Sequence, residues 1–493
     1  MLHRTRVALA GLTAAALLAG IAVALPLAAP TSTAASATST AGATSTASAT
    51  PEDSGVAPPL AKGLLHDDVE GQDVTLFTLS SPGKPREVVT FDELPGKRVE
   101  PGFRVLSFTA EGAALYVPWC GGRRGASMDG AALSGPATGP FVAALSPGRH
   151  DISLSLEVSK YERRVACGEA PRVGTRARRT SGFSTMTFAS PSSARGGGQA
   201  AVFLPPGHDV TRPCPVLVGV HPWNGGIWTY GQYTELVREA ARLGVVLLHP
   251  SGLGNSLYVA EAEAEVLRAL EALAAQISID RQRVSIWGAS MGGQGATTIG
   301  LHRPDRFAAI TSYFGDARFD ISTYVRSLLP DEEAAHRVNP LDVIDNARHV
   351  PVWLIHGEAD STSPIRQSEL LDRALRDRGY AVRFDRVPGM GHEGRLVARH
   401  AAEIVRQASA ARAPRFPARV TFRSVRPEDA GAYGVAIERA DRGDAFLDIE
   451  GRDGEVRVLS AQGVRAILLT PGALGVPKGA KVTGPGEGLV RWR

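Results

Sequence analysis

Short apolar runs alternate with amphipathic segments along residues 196–412 of the chain. These strand-like runs are four to six residues long, and most are rich in Val, Ile and Leu, which is typical of buried strands. They lie at 201–204, 215–220, 245–249, 284–287, 308–313, 352–355 and 382–387. Apolar positions at helical spacing predict helices between them, at 233–243, 261–276, 366–378 and 395–412. This alternation predicts an α/β domain in which helices cover both faces of a mostly parallel sheet.

The two flanking regions follow a different pattern, in which apolar and polar residues alternate over short stretches. Residues 66–190 contain several such runs, separated by turns rich in Gly and Pro. They predict an N-terminal β-sandwich accessory domain. Residues 415–493 alternate in the same way and predict a small C-terminal β-domain with no catalytic residues of its own.

The N-terminal segment has the pattern of an export signal. Arg4 and Arg6 precede an almost entirely apolar stretch at 7–29, so residues 1–30 are expected to be a signal peptide. Residues 31–65 are rich in Ser, Thr and Ala and predict a disordered linker. We therefore expect a secreted, periplasmic or extracellular protein with no stable membrane anchor after cleavage. The alternative is an uncleaved N-terminal membrane anchor, because the apolar stretch is long enough to span a bilayer.

The cysteines, the charge and the motifs of the chain bear on disulfide bonding and on nucleic-acid, metal and cofactor binding. The chain has three cysteines, and we expect Cys120 and Cys167 to form a disulfide bond in an oxidising compartment, with Cys214 free and buried. The net charge of +4 is small, and the densest basic stretch, 163–179, has no interleaved aromatic residues, so no nucleic-acid partner is predicted. No zinc-ligand spacing or phosphate-binding Gly-rich loop occurs, and no cofactor or metal is expected.

Ser290 is the candidate nucleophile. The apolar run at 284–287 leads into Gly288-Ala289-Ser290-Met291-Gly292, the pattern of a sharp strand-to-helix turn with an exposed serine at its apex. With 54 glycines in the chain, the motif alone is expected by chance at roughly even odds, so its flanks matter. Ser127 lies in a similar stretch, but it lacks both the second glycine and a preceding apolar run.

Candidate partners for the serine follow two later strands. Asp360 comes after the run at 352–355, and His392 comes after the run at 382–387. A serine hydroxyl needs an adjacent base, which His392 would supply, and a carboxylate would orient the imidazole. Glu358 is a second acid nearby, but the position of Asp360 after the tight His-Gly turn favours Asp360.

Donors for a developing oxyanion are predicted on two segments. The backbone N–H of Met291, directly after the serine, is one donor. A Gly-containing loop at 221–226 follows the strand at 215–220 and can aim a second backbone N–H at the same point. Trp223 or Asn224 would supply it, and the sequence leaves that choice open.

Three motifs together resemble the α/β-hydrolase superfamily, nearest to secreted esterases, polyester depolymerases and prolyl-oligopeptidase-like serine hydrolases. They are Trp-Gly-Ala-Ser-Met-Gly-Gly at 287–293, His-Gly-Glu-Ala-Asp at 356–360 and Pro-Gly-Met-Gly-His at 388–392. The resemblance implies an α/β-hydrolase fold over residues 196–412 and catalysis by Ser290, His392 and Asp360. Residues 139–150 resemble jelly-roll accessory domains of the galactose-binding type, which implies either carbohydrate contact or a purely structural role.

The expected function is a secreted serine hydrolase that cleaves carboxylic esters, in a small molecule or a polymer, through an acyl-enzyme intermediate. One alternative is a serine peptidase of prolyl-oligopeptidase type, although no propeller-like repeats precede the hydrolase region. Another is a non-catalytic binding protein on a hydrolase scaffold. Such scaffolds usually lose a member of the triad, whereas this chain has all three candidates.

Overall fold

Short strands in two sheets make up the described part of the N-terminal region. The computed structural model describes residues 67–73, 76–79, 87–90, 103–110, 114–119, 123–133, 139–156, 171–178, 181–191, 197–319, 329 and 331–493. The first ten strands are β1 (Asp67–Asp73), β2 (Leu76–Leu79), β3 (Glu87–Thr90), β4 (Phe103–Ala110), β5 (Ala114–Val117), β6 (Arg123–Met128), β7 (Ala131–Ala132), β8 (Phe141–Ala144), β9 (Gly148–Leu156) and β10 (Arg172–Arg178). Their orders are β1-β10-β5-β8 and β3-β2-β4-β9-β6-β7, and the pairings are antiparallel. The β-sandwich domain stays a prediction.

Several predictions from the sequence fall outside the described residues. These are the signal peptide at 1–30, the linker at 31–65 and the cysteines Cys120 and Cys167. Cys214 is described: it is a buried free thiol whose pKa is raised by burial to about 12. Among the described residues, no helix is both long enough and apolar enough to cross a membrane.

An eight-stranded, mostly parallel sheet forms the centre of the hydrolase region, as the sequence predicts. Its strands are β11 (Gly182–Ala189), β12 (Gly197–Leu204), β13 (Cys214–Val220), β14 (Val246–Pro250), β15 (Ile279–Ala289), β16 (Ile310–Tyr313), β17 (Val352–Gly357) and β18 (Val382–Val387). They are ordered β11-β12-β14-β13-β15-β16-β17-β18 across the sheet. The last six strands in this order are parallel to one another. Strand β11 was assigned to the N-terminal region from its alternating pattern. It instead pairs with β12 along its whole length, because an edge strand of an α/β sheet also alternates.

Helices lie on both faces of this sheet. They are α1 (Thr234–Leu243), α2 (Glu261–Ala274), α3 (Met291–His302), α4 (Glu332–His336), α5 (Arg366–Asp377) and α6 (Gly394–Ala410). One face packs against α2, α3 and α5 and the other against α1 and α6, each through a continuous apolar cluster. Every residue of α3 is buried, which places this helix inside the domain rather than on its surface.

The C-terminal region has its own strands and its own core. The strands are β19 (Arg419–Ser424), β20 (Gly431–Ala432), β21 (Val435–Arg439), β22 (Ala445–Arg452), β23 (Glu455–Gln462), β24 (Val464–Leu469), β25 (Val482–Thr483) and β26 (Val490–Trp492). They form two four-stranded sheets, β19-β22-β23-β25 and β20-β21-β24-β26. Apolar residues including Phe422, Leu447 and Ile467 fill the space between them.

Buried charges join this C-terminal region to the hydrolase helices. Glu263 on α2 accepts hydrogen bonds from Arg426 (2.5 Å) and Arg303 (2.9 Å), and Arg426 also donates to Asp429 (3.0 Å). Asp429 in turn lies 2.7 Å from Nδ1 of His302, the last residue of α3. Burial by itself raises the pKa of Asp429, but His302 and Arg426 hold that pKa below its usual value. A fragment that ends at Arg412 would therefore leave Glu263 without Arg426 and His302 without Asp429.

We predict that Arg426→Leu lowers the free energy of unfolding by about 3–5 kcal/mol, because it removes the buried cation that Glu263 and Asp429 share. Urea unfolding, followed by circular dichroism, measures the change. The matched control is Arg465→Leu in the same region. Arg465 pairs with Glu438, and their side chains are 70% and 43% exposed, so its loss should be nearly neutral. Equal midpoints for the two variants would contradict a stabilising role for the buried cluster.

Candidate active site

Ser290 occupies a strained turn between β15 and α3. Its backbone has φ 58° and ψ −122°, a left-handed conformation that non-glycine residues rarely adopt and that costs about 1–3 kcal/mol. The Ser290 N–H donates to the carbonyl of Tyr313 on the neighbouring strand (2.9 Å), which helps to hold the turn. The structure thus contains the sharp strand-to-helix turn that the motif predicts.

Gly288 and Gly292 allow this turn to press against the end of β13. A Cβ on Gly292 would overlap the carbonyl oxygen of Val220 and lie 2.9 Å from that of His221. A Cβ on Gly288 would lie 2.5 Å from the Val220 carbonyl oxygen. Only hydrogen fits at both positions, so the nucleophile turn and the strand that leads to loop 221–226 are in direct backbone contact.

The three predicted side chains form one hydrogen-bonded chain. Nε2 of His392 lies 2.8 Å from Oγ of Ser290, and Nδ1 lies 2.8 Å from Oδ2 of Asp360. Ser290 and Asp360 follow β15 and β17, and His392 follows β18. The carboxyl ends of these parallel strands meet at one edge of the sheet, which brings together residues up to 102 positions apart.

Asp360 is the acid that reaches the imidazole. Its Oδ1 accepts hydrogen bonds from the backbone N–H groups of Thr362 (2.8 Å) and Ser363 (2.9 Å), and it is 8% exposed. Burial by itself raises the pKa of Asp360, but hydrogen bonds from His356 and His392 outweigh it and hold the pKa well below its usual value. The carboxylate is therefore ionised at neutral pH. Glu358 is exposed.

One neighbour of the imidazole, Phe314, was not found from the sequence. The ring of Phe314 lies 4.4 Å from that of His392, and Phe314 itself has a positive φ of 38°. Phe314 directly follows β16, at the sheet edge where Ser290, Asp360 and His392 meet, and this position was the one sequence feature that could have indicated its role. His356, at the end of β17, contacts Oγ of Ser368 and the carbonyl of Ser363, each at 2.8 Å, and so holds the turn that carries Asp360.

The loop at 221–226 forms a tight turn in which Gly225 N–H donates to the carbonyl of Pro222 (2.9 Å). Asn224 has a φ of 59°, and its backbone N–H donates to Oδ1 of Asn255 (2.7 Å). Of the two amides left open by the sequence, that of Asn224 is therefore already bound to a side chain. The Trp223 side chain is 37% exposed.

Met291 opens α3, where the first amides of a helix have no acceptor within the helix. Its N–H therefore has no acceptor within α3. Ser127, by contrast, lies inside strand β6 and has no strand-to-helix turn.

Residues 260–410 match the Prolyl oligopeptidase family. This segment runs from the start of α2 through Ser290, Asp360 and His392 to the end of α6. The match confirms, over these residues, the predicted resemblance to prolyl-oligopeptidase-like serine hydrolases.

Individual known proteins are similar only in part. An uncharacterized secreted protein of Arthroderma benhamiae is 23% identical over 189 residues, which are 35% of this chain and 17% of that protein. This chain therefore spans less than a fifth of that relative's length. Among solved structures, an S-formylglutathione hydrolase from Agrobacterium tumefaciens has 20% identity and a TM-score of 0.41, over 47% of this chain and 97% of the other. An acylaminoacyl peptidase from Pyrococcus horikoshii has 22% identity and a TM-score of 0.38, over 46% of this chain and 40% of the other.

We predict that Gly292→Ala destabilises the protein by more than about 2 kcal/mol, because the new methyl group must displace the backbone of β13. Gly488→Ala is the control, since a Cβ there has no heavy atom within 4 Å. Urea unfolding of both variants checks the prediction. It would be wrong if Gly292→Ala unfolded at the same urea concentration as the control.

Proposed function

We propose that this protein is a secreted serine hydrolase that cleaves carboxylic esters, with Ser290 as nucleophile, His392 as base and Asp360 as the acid that orients His392. The observation that carries the proposal is the pair of 2.8 Å contacts that link Ser290 Oγ, the His392 ring and Asp360. Export is proposed from the sequence of residues 1–30.

In the proposed first step, Ser290 Oγ attacks the ester carbonyl carbon while His392 Nε2 accepts the hydroxyl proton. The carbonyl oxygen becomes an oxyanion, which the backbone N–H of Met291 and a second backbone N–H, that of Trp223 or Asn224, bind. As the tetrahedral intermediate collapses, the C–O bond to the alcohol breaks, and His392 returns the proton to the leaving oxygen.

The acyl-enzyme is then hydrolysed by the same groups. His392 takes a proton from water, the resulting hydroxide oxygen bonds to the acyl carbon, and Ser290 leaves with the proton that His392 returns. Asp360 stays ionised throughout, because hydrogen bonds keep its pKa low. It accepts the hydrogen bond from Nδ1 and so holds the tautomer in which Nε2 is free to act as the base. No cofactor is needed for these steps.

A serine peptidase is the second candidate, and the match of residues 260–410 to the Prolyl oligopeptidase family is the observation that favours it. The same triad serves both reactions. We favour esters because the sequence before the hydrolase region lacks the propeller-like repeats that would select peptides.

We predict that a fluorophosphonate labels Ser290 and that Ser290→Ala and His392→Ala each remove nearly all ester turnover. Combining the two substitutions should cost little more, because triad residues act as a unit. Asp360→Asn should fold normally and lower kcat by ~10⁴-fold, because the imidazole takes the wrong tautomer.

Glu358→Gln is the matched control for the acid, since Glu358 is exposed and two positions from Asp360. Its kcat should stay near that of the natural protein. The opposite ranking of the two acids would reassign the orienting carboxylate. Folded protein that neither reacts with the probe nor hydrolyses any ester would favour a binding protein on a hydrolase scaffold.

We predict that p-nitrophenyl esters are hydrolysed at least ~100-fold faster, in kcat/KM, than p-nitroanilides with the same acyl group. The measurement is initial rates on both series, with Ser290→Ala as the background. Anilides cleaved at comparable rates would identify the peptidase. A series of acyl lengths, feruloyl and acetyl esters, and a polyester film would then define the acyl group.

A further inference from the structure

Two buried tyrosine hydroxyls hold the end of β13, directly before loop 221–226. Tyr230 donates its hydroxyl to the carbonyl of Val220 (2.8 Å), and Tyr258 donates to the carbonyl of His221 (3.2 Å). These are consecutive carbonyls, two and three positions before Trp223. They are also the two oxygens that press against Gly292.

The Tyr230 hydroxyl has a second bond, on the nucleophile side. It accepts the backbone N–H of Ala289 (2.9 Å), the residue before Ser290. One oxygen atom thus bridges the strand that leads to the loop and the strand that leads to the serine. The ring is 1% exposed and lies 4.1 Å from that of Trp287. Burial raises the pKa of Tyr230 well above its usual value, so the hydroxyl remains a donor.

Tyr258 belongs to a strained loop at 251–260 between β14 and α2. Four non-glycine residues of this loop have a positive φ: Leu253, Leu257, Tyr258 and Ala260. Such strain persists only where surrounding contacts enforce it. Here the Asn255 side chain accepts a hydrogen bond from the Asn224 backbone N–H and donates one to Asn224 Oδ1, each at 2.7 Å. The carbonyl of Leu257 accepts a hydrogen bond from Gln294 on α3 (2.8 Å). The loop therefore connects loop 221–226 to the helix that begins at Met291.

An oxyanion hole requires that its two donors converge on one oxygen, within about 2.7–3.1 Å of each N–H group. In this protein the two donors are on separate segments, so their spacing depends on contacts between those segments. We propose that Tyr230 and Tyr258 are positioning residues that set loop 221–226, with its candidate donor, relative to the Met291 N–H. The inference rests on the proposed function, since it concerns the same oxyanion hole.

The test is removal of one hydroxyl at a time. Tyr230→Phe should lower kcat by ~10–100-fold and leave KM nearly unchanged, because the loop shifts while the substrate pocket stays. Tyr258→Phe should also lower kcat, but by a smaller factor, because the Tyr258 hydroxyl makes one hydrogen bond and that bond is longer. The matched control is Tyr433→Phe, which removes a buried hydroxyl that donates to the Pro304 carbonyl (2.8 Å), in the C-terminal region. It should lower the unfolding midpoint without changing kcat.

A second measurement separates positioning from general destabilisation. Each variant is assayed on an ester and on the thionoester in which sulfur replaces the carbonyl oxygen. Sulfur is a weak hydrogen-bond acceptor, so the thionoester depends less on the two N–H donors. The preference of the natural protein for the oxygen ester should fall in Tyr230→Phe by about the same factor as kcat.

An unchanged preference, or a kcat equal to that of the natural protein in both tyrosine variants, would overturn the positioning role alone. Natural protein that hydrolyses no ester and leaves Ser290 unlabelled would overturn the proposed function and this inference together. If Tyr230→Phe does not fold, Tyr258→Phe decides the question, because its hydroxyl is bonded only to His221.

Discussion

The backbone contact between Gly292 and the carbonyl of Val220 is the constraint on which the site depends. A side chain of any size at Gly292 would overlap that oxygen, so the turn that carries Ser290 lies directly against the end of β13. The same approach brings Met291, at the start of α3, close to the strand that continues into loop 221–226. The strained backbone of Ser290 is the cost of this arrangement, and close packing of the surrounding backbone stabilises it.

Helix α3 connects this site to the C-terminal region. It begins next to the nucleophile and ends at His302, whose ring lies 2.7 Å from Asp429 in a cluster of buried charges. Every residue of the helix is buried, so the helix has little room to move without disturbing both ends. The C-terminal region therefore supports the helix that carries the proposed oxyanion donor, besides forming a core of its own.

Much of the fold follows from local patterns in the sequence. Buried parallel strands such as 215–220 and 352–355 are continuous apolar runs, and helices such as α2 have apolar residues at helical spacing. Strand β11 could not be assigned to the central sheet, because its alternation is equally typical of a sandwich strand and of a sheet edge. Phe314, Tyr230 and Asn255 were not found either. Each acts through a contact with a residue distant in sequence, and none belongs to a recognisable motif.

The α/β order of elements and the candidates Ser290, Asp360 and His392 follow from local sequence patterns, because glycine-flanked turns after apolar strands are local features. Which acid lies beside the imidazole depends on the tertiary structure, in which Asp360 is buried against His392 whereas Glu358 is exposed. The partner of one candidate loop amide also appears only in the tertiary structure. The Asn224 N–H is bound by Asn255, 31 residues away, and such a partner is fixed by how β13 and β14 lie side by side in the sheet rather than by any local pattern.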